Sequence, residues 1–342
     1  MPVLECIGDL VQCGLSRNTM TLLKTILKYF ITILLAILVL LLGLIFIFTK
    51  GPSIGIRDIF VTTVMQSSAA KFSARIFLSK ETVDAIMADS EIDDSGIELD
   101  TDLINTDERA EDFDISKVWL EDIQTAHYKG KALIVNDPSR VYVYCIPEFP
   151  VERGEYLQDI CKKENALGGV NGGGFIDVGG TGKGGEPKGM VMSNGEWLNG
   201  DVNAKHKVIG LSFDNKLIVG TMTGKEAMDL GCRDAVEWGP ALIINGEPMS
   251  VSESADGPNP RTAIGQRKDG SIVLVYIEGR KTDSIGASYA DLINIMQQYE
   301  CINASNLDGG LSSSMNFDGE RITNSYTTYG ERPIPTAILV RR

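Results

Sequence analysis

From about Lys131 to its end the chain alternates short apolar runs with turn-forming dipeptides, a period that favours strands over helices. Lys131–Val135 and Val141–Ile146 read as strands broken by Asn136-Asp137-Pro138. Lys207–Phe213 and Lys216–Met222 predict a hairpin around Asp214-Asn215, and Ala241–Ile244 runs into Asn245-Gly246. Thr262–Gln266 and Ser271–Ile277 join through Asp269-Gly270, Ser314–Phe317 and Arg321–Asn324 through Asp318-Gly319. Asn-Gly and Asp-Gly supply the left-handed backbone that tight hairpins need. Two helices interrupt the strands, one over roughly 155–164 and one from Ser288. The second opens with a Ser288/Asp291 capping box and aligns Tyr289, Leu292, Ile293 and Met296 on one stripe. The fold class is therefore α+β: a mixed, largely antiparallel sheet with flanking helices in one domain, residues 115–342. Residues 115–128 read as lead-in structure.

The N-terminal region has a different pattern. Tyr29–Phe48 is an unbroken apolar run without charge, long enough for the roughly 20 residues that cross a bilayer. A signal peptide would have a shorter apolar core and end at a small-x-small site; this run ends Phe46-Ile47-Phe48-Thr49-Lys50. It reads as a transmembrane helix over 29–48, after a cytoplasmic segment, 1–28. Arg17, Lys24 and Lys28 precede it and place the N-terminus inside and the main domain extracytoplasmic, although Lys50 and Arg57 follow it. Residues 49–114 form a membrane-proximal stalk and an acidic linker. Ser79 caps a helix to about Ala88 with Val83, Ile86 and Met87 on one face. From Asp89 to Asp114 about a dozen carboxylates meet one basic residue, Arg109, and few large apolar groups, the composition of a flexible connection. No calcium-binding loop is spelled there.

The formal net charge is −14, which argues against nucleic acid as a partner, because neutralising phosphates needs a basic face. Cys145, Cys161, Cys232 and Cys301 lie beyond the apolar run and their even number allows two disulfides; Cys6 and Cys13 lie before it. With two histidines, His127 and His206, a multi-histidine metal site is excluded.

Chemistry-bearing residues concentrate at predicted strand ends. Gly168-Gly169-Val170-Asn171-Gly172-Gly173-Gly174 is a glycine-rich loop whose N–H groups, with Asn171, Gly172 and Gly173 at its centre, could approach an anion. A tight turn would use the same glycines, and no Gly-Lys-Ser/Thr follows to make a nucleotide loop. Arg261, at a strand entry, offers the planar fork that suits phosphate; a surface salt bridge is its plainer role. Glu278 and Arg280 follow the apolar strand Ser271–Ile277, where an ion pair between neighbours is the alternative. Asp308 ends a strand, with Gly309 and Gly310 leaving its carboxylate open and Ser312 following; a simple Asp-Gly turn is its plainer reading. With only two histidines available as base, a serine hydrolase is a poor alternative.

Five motifs in order carry a resemblance: Val170–Phe175, Asn259-Pro260-Arg261-Thr262-Ala263-Ile264-Gly265, Glu278-Gly279-Arg280, Asn306–Met315 and Glu331-Arg332-Pro333. Their order and spacing resemble those of the phosphodiester glycosidase family, which includes bacterial envelope proteins described as exopolysaccharide-related. The similarity covers about residues 130–342. It departs where the family usually reads Asp-Gly-Arg and His-Pro-Arg. The resemblance implies a hydrolase that cleaves a glycosyl 1-phosphodiester, such as one of N-acetylglucosamine, at the sugar C–O bond. Its partners would be that substrate or an envelope polysaccharide, with the membrane held through 29–48. Asp308 and Glu278 are then the catalytic carboxylates; Asn171, Gly172, Gly173, Arg261, Arg280, Gly309 and Ser312 bind substrate or phosphate. No cofactor is firmly implied, and a divalent cation shared by Asp308 and Asn171 stays open. The alternative is a non-catalytic module binding polysaccharide or another wall polymer.

Overall fold

The structure is a computed structural model that describes residues 17–65, 70–105, 109–251, 257–323 and 331–342. It opens with helix α1 (Arg17–Lys50), whose side chains from Met20 to Phe48 include an almost continuous exposed apolar surface. By length and composition Thr19–Lys50 could cross a membrane. Three shorter helices follow: α2 (Ile54–Met65), α3 (Lys71–Ala74) and α4 (Lys80–Asp89). Ser79 caps α4 as expected, its side chain accepting from the Thr82 N–H. Val61, Ala74, Leu78, Val83 and Ile86 close a small core among these helices.

The strands then run β1 (Val118–Gln124), β2 (Lys129–Val135) and β3 (Val141–Cys145), followed by helix α5 (Leu157–Lys163). Next come β4 (Ala166–Asn171), β5 (Val191–Ser193), β6 (Glu196–Asn199), β7 (Lys205–Ser212) and β8 (Leu217–Thr223). Helix α6 (Gly224–Asp229) leads to β9 (Cys232–Glu237), β10 (Ala241–Ile244) and β11 (Glu247–Pro248). The chain continues through β12 (Arg261–Arg267), β13 (Ile272–Ile277), helix α7 (Tyr289–Gln298) and β14 (Cys301–Asn306). It ends in β15 (Met315–Phe317), β16 (Glu320–Arg321) and β17 (Thr336–Arg341).

These strands build three antiparallel sheets, ordered β1-β2-β13-β12-β14-β10-β11, β16-β15-β4-β17-β3 and β6-β5-β9-β7-β8. The expected hairpins form. Asn245 and Gly246 both take positive φ, as do Asp318 and Gly319, the backbone that a two-residue turn demands. The end of the last expected strand, Asn324, lies outside the described residues. The lead-in segment is in fact β1, an edge strand beside β2; its mixed polarity hid it, since one face meets water.

One apolar core joins all three sheets, with Leu133, Val170, Ile209, Val236, Ile264 and Ile338 buried together. Each such side chain contributes about 1.5–3 kcal/mol relative to exposure. The outer face of the seven-stranded sheet is covered by α7, which buries Leu292, Ile293, Ile295 and Met296 behind the capping box read from Ser288 and Asp291.

Two expectations are corrected. The acidic segment after Asp89 is held against the domain: Thr221 Oγ1 donates to Asp94 Oδ1 at 2.5 Å, and the Asp100 N–H donates to Asn245 Oδ1 at 2.8 Å. Ile92 and Ile104 are buried. A few apolar anchors thus tie down a carboxylate-rich chain whose charges stay in water. The four cysteines beyond α1 are unpaired. Each packs among apolar side chains, and burial pushes all four thiols up to about 12. Cys145 and Cys161 share one cluster, while Cys232 and Cys301 sit in two others.

Candidate active site

The sheet register brings the motif residues to one end of the domain. Arg261 opens β12 opposite Ile277, the last residue of β13, and Ala263 pairs with Asn306, the last of β14. The segments leaving β13 and β14 therefore emerge beside the start of β12. They carry Arg280 and Asp308. The ends of β4 and β9, from the other two sheets, arrive at the same place.

There a cavity of about 690 Å³ opens, lined by Asp308, Gly309, Ser312, Arg261 and Arg280. That volume lies within the roughly 300–1,000 Å³ of small-ligand sites. Asp308 is half-buried, its carboxylate accepting the Gly309 N–H at 3.0 Å. Burial pushes its carboxyl up to about 6, against the opposing pull of the Ser312 hydroxyl, the Gly309 N–H, Arg332 and Lys188. Arg261 is buried: its guanidinium lies 4.4 Å over the Tyr289 ring and donates to the carbonyls of Ala287 and Gly257. Arg280 is exposed to the cavity, takes a positive φ of 58°, and donates to Asn259 Oδ1 at 3.0 Å.

The other expected residues are placed differently. Glu278 is absent from the cavity lining and pairs with Lys281 Nζ at 2.9 Å. The backbone turns after Ile277, so Glu278 and Arg280 do not share a direction. Asn171 is fully buried at the end of β4: its Nδ2 donates to the Asp308 carbonyl, while its Oδ1 accepts from Thr262 Oγ1 and the Ser314 N–H. With its oxygen doubly occupied, Asn171 is poorly suited to share a cation with Asp308, and no cluster of three or more His, Cys, Asp or Glu that could hold a metal occurs among the described residues.

The glycine run is likewise no anion cradle. Gly168 and Gly169 lie within β4, where an added Cβ would overlap the neighbouring strands. The N–H groups of Gly172, Gly173 and Gly174 go to the Thr336 carbonyl, the Thr336 hydroxyl and the Glu237 carbonyl. These glycines let β4 approach Glu237 and Trp238, and a Cβ on Gly174 would strike the Trp238 ring.

The structure adds residues beyond those expected at the site. Glu237, at the end of β9, lines the cavity and is fixed from behind by the Met190 N–H and His206 Nδ1. His206 Nε2 lies 2.7 Å from the Asp201 carbonyl, which can only accept, so Nε2 carries hydrogen and Nδ1 faces the carboxylate. Lys188 stands 5.5 Å over the Trp238 ring, and Arg332 pairs with Asp177 at 3.6 Å. Arg332 was readable, since it belongs to the Glu331-Arg332-Pro333 motif. Glu237 ends an unremarkable strand, and no spacing in the sequence connects it to Asp308.

Lys71, Lys188, Lys207, Arg261, Arg280 and Arg332 thus line a cavity shared with the carboxylates of Glu91, Asp177, Glu237 and Asp308. In a chain of net charge −14 this local cationic excess is a selective concentration. It can hold an anion while keeping carboxylates beside it for proton transfer or attack.

The chain is similar to several known proteins. The prophage-derived uncharacterized protein YomE of Bacillus subtilis (strain 168) is 35% identical over 98 residues, 28% of this chain and 15% of its own length. The mouse N-acetylglucosamine-1-phosphodiester alpha-N-acetylglucosaminidase is 25% identical over 156 residues, 40% of this chain and 29% of its own. The chain therefore spans less than a third of the length of these curated relatives. The zebrafish enzyme's catalytic domain, solved auto-inhibited by its pro-peptide, superposes with a TM-score of 0.56 at 19% identity, covering 68% of this chain and 85% of that one. That likeness establishes a shared fold. A family model described as phosphodiester glycosidase matches residues 164–341, more than half of the sequence, and the chain belongs to that family.

Proposed function

We propose that this protein hydrolyses a glycosyl 1-phosphodiester at the sugar C–O bond. The observation that carries the reading is Asp308: a carboxylate of raised basicity in a cation-lined cavity of an otherwise acidic chain. N-acetylglucosamine is the sugar suggested by the names of the mammalian relatives. In the reaction the water oxygen bonds to the anomeric carbon, the bond from that carbon to the phosphate oxygen breaks, and its electron pair leaves with the phosphate monoester. Arg280 and Arg261 stabilise the charge that develops on the phosphate. Asp308, ionised above about pH 6, serves as base or nucleophile. Glu237, held by His206 and Met190, takes the second carboxylate role that the sequence assigned to Glu278.

The apolar helix anchors the protein in a membrane, with Arg17, Lys24 and Lys28 on the cytoplasmic side and the domain outside, where it acts on envelope glycans. The alternative of polymer binding without cleavage gains support if the carboxylates do not converge. Asp308 and Glu237 line one cavity, which favours hydrolysis.

The test is sugar release from an α-N-acetylglucosamine 1-phosphodiester by the full chain in ¹⁸O-labelled water, beside Asp308→Asn. Label in the sugar, with release lost in the variant, supports the proposal. Label in the phosphate would mean P–O cleavage instead, and tight binding of the phosphodiester without release would favour the binding module.

A further inference from the structure

The cavity has a second wall, built by the helices that follow α1. Met65 at the end of α2, Met87 on α4 and Ile92 just beyond it line the same space as Asp308 and Arg280. This helical unit is seated firmly at both ends. Phe46 and Phe48 of α1 pack against Phe77 and Phe60, with ring centroids 5.4 and 5.5 Å apart. On the domain side, Gly257 meets Thr63 so closely that a Cβ would overlap it. Gly257 lies two residues before Asn259, the partner of Arg280.

The two walls differ in chemistry. The domain contributes arginines, lysines and carboxylates; the helical unit contributes two thioethers and an aliphatic chain, along with Lys71, Ser90 and Glu91. Methionine is unbranched and polarisable and adapts to apolar ligands of irregular shape. The helical unit also exposes Ile54, Ile56 and Phe72, at 67%, 53% and 70%, apolar groups of the kind that interfacial helices bury between lipid headgroups and acyl chains. Phe60, midway along helix α2, stacks on Phe48 of α1, so α2 lies against the end of the apolar helix.

We propose that the phosphodiester's second alcohol is a long hydrocarbon chain resident in the membrane that holds α1. Met65, Met87 and Ile92 receive the first carbons of that chain, and the sugar and phosphate reach Asp308 and Arg280. This assignment rests on the glycosidase reading above and names its substrate class.

The test uses the full chain in lipid nanodiscs and two substrates with the same sugar 1-phosphate. One is the water-soluble methyl diester and the other the diester of a long-chain alcohol in the same bilayer. The readout is the ratio of kcat/KM for long over short, compared between the wild type and Met65→Gln/Met87→Gln, so that partitioning into the bilayer cancels. The proposal expects the ratio to fall about tenfold, the worth of one or two buried methylenes. An unchanged ratio overturns it. So does a gain in turnover of the methyl diester by the variant, which would make the helices a cover over the site. If the wild type cleaves neither substrate, the glycosidase reading fails by itself. Competition binding of the same two ligands then decides the apolar subsite: preference for the long chain, weakened in the variant, upholds it, and equal affinity removes it.

Discussion

Asn171 Nδ2 donates a 2.7 Å hydrogen bond to the backbone carbonyl of Asp308, joining the end of β4 in one sheet to the segment leaving β14 in another. Its oxygen accepts from Thr262 and the Ser314 N–H. A single buried amide thereby ties the proposed catalytic residue's own backbone to Ser314 further along the chain and to Thr262 on β12. Replacing Asn171 by Ala leaves those groups without partners, at about 1–3 kcal/mol for each that water does not reach. Urea unfolding should show that loss, and kcat should fall with KM little changed. Wild-type stability in the variant would deny Asn171 its positioning role.

Asp308 supplies a pH signature. Its carboxyl is pushed from the usual 3.8 up to about 6, so an essential carboxylate makes kcat/KM climb with pH and level off above about 6. Stability runs the other way. The raised value means the folded protein holds this proton more tightly than the unfolded chain, an advantage present below about 4 and lost as pH rises through 6. Asp308→Asn should therefore lose activity while its Tm, relative to wild type, increases between pH 4 and pH 8. A Tm difference independent of pH would contradict the cause assigned here, burial of the carboxylate.

Glu237 and Glu278 separate the structural from the sequence assignment. Glu237→Gln should lower kcat/KM about 100-fold or more. Glu278→Gln breaks an ion pair with Lys281 away from the cavity, and a loss of no more than a few-fold is expected. Steady-state kinetics on both variants decides the matter; the reverse ranking would restore Glu278.

Arg280 reaches the cavity from the turn after β13 and is the better placed of the two arginines to meet a ligand. Arg280→Gln should weaken binding of a phosphate monoester product about 10–100-fold, the worth of a charged hydrogen bond. Inhibition constants for that product would show it, and an unaltered constant would remove Arg280 from the phosphate site.

Gly174 tests the packing reading of the glycine run. A methyl group there must displace the Trp238 ring from the cavity wall, at about 1–3 kcal/mol. Gly174→Ala should lower Tm and raise KM. A variant as stable as wild type would return these glycines to the role of a ligand-binding loop.

Local chemistry determined much of this protein in advance. The Asn-Gly and Asp-Gly turns set their hairpins because positive φ is a property of two adjacent residues, and the Ser288/Asp291 box set the start of α7 for the same local reason. Arg261, Arg280, Asp308 and Ser312 were found as motif residues at strand ends, and the structure collects them in one cavity. Strand β1 and the docking of the acidic segment escaped because edge pairing and a few apolar anchors depend on partners far along the chain. The same distance hid the roles of Asn171 and the glycines, which face other strands, and of Glu237, which shares a cavity with Asp308 only in the folded chain. The sequence by itself determined which residues could carry the chemistry and where the chain turns. Tertiary structure alone decided which carboxylates share the cavity with Asp308, because register between strands, not spacing along them, sets what a side chain can reach.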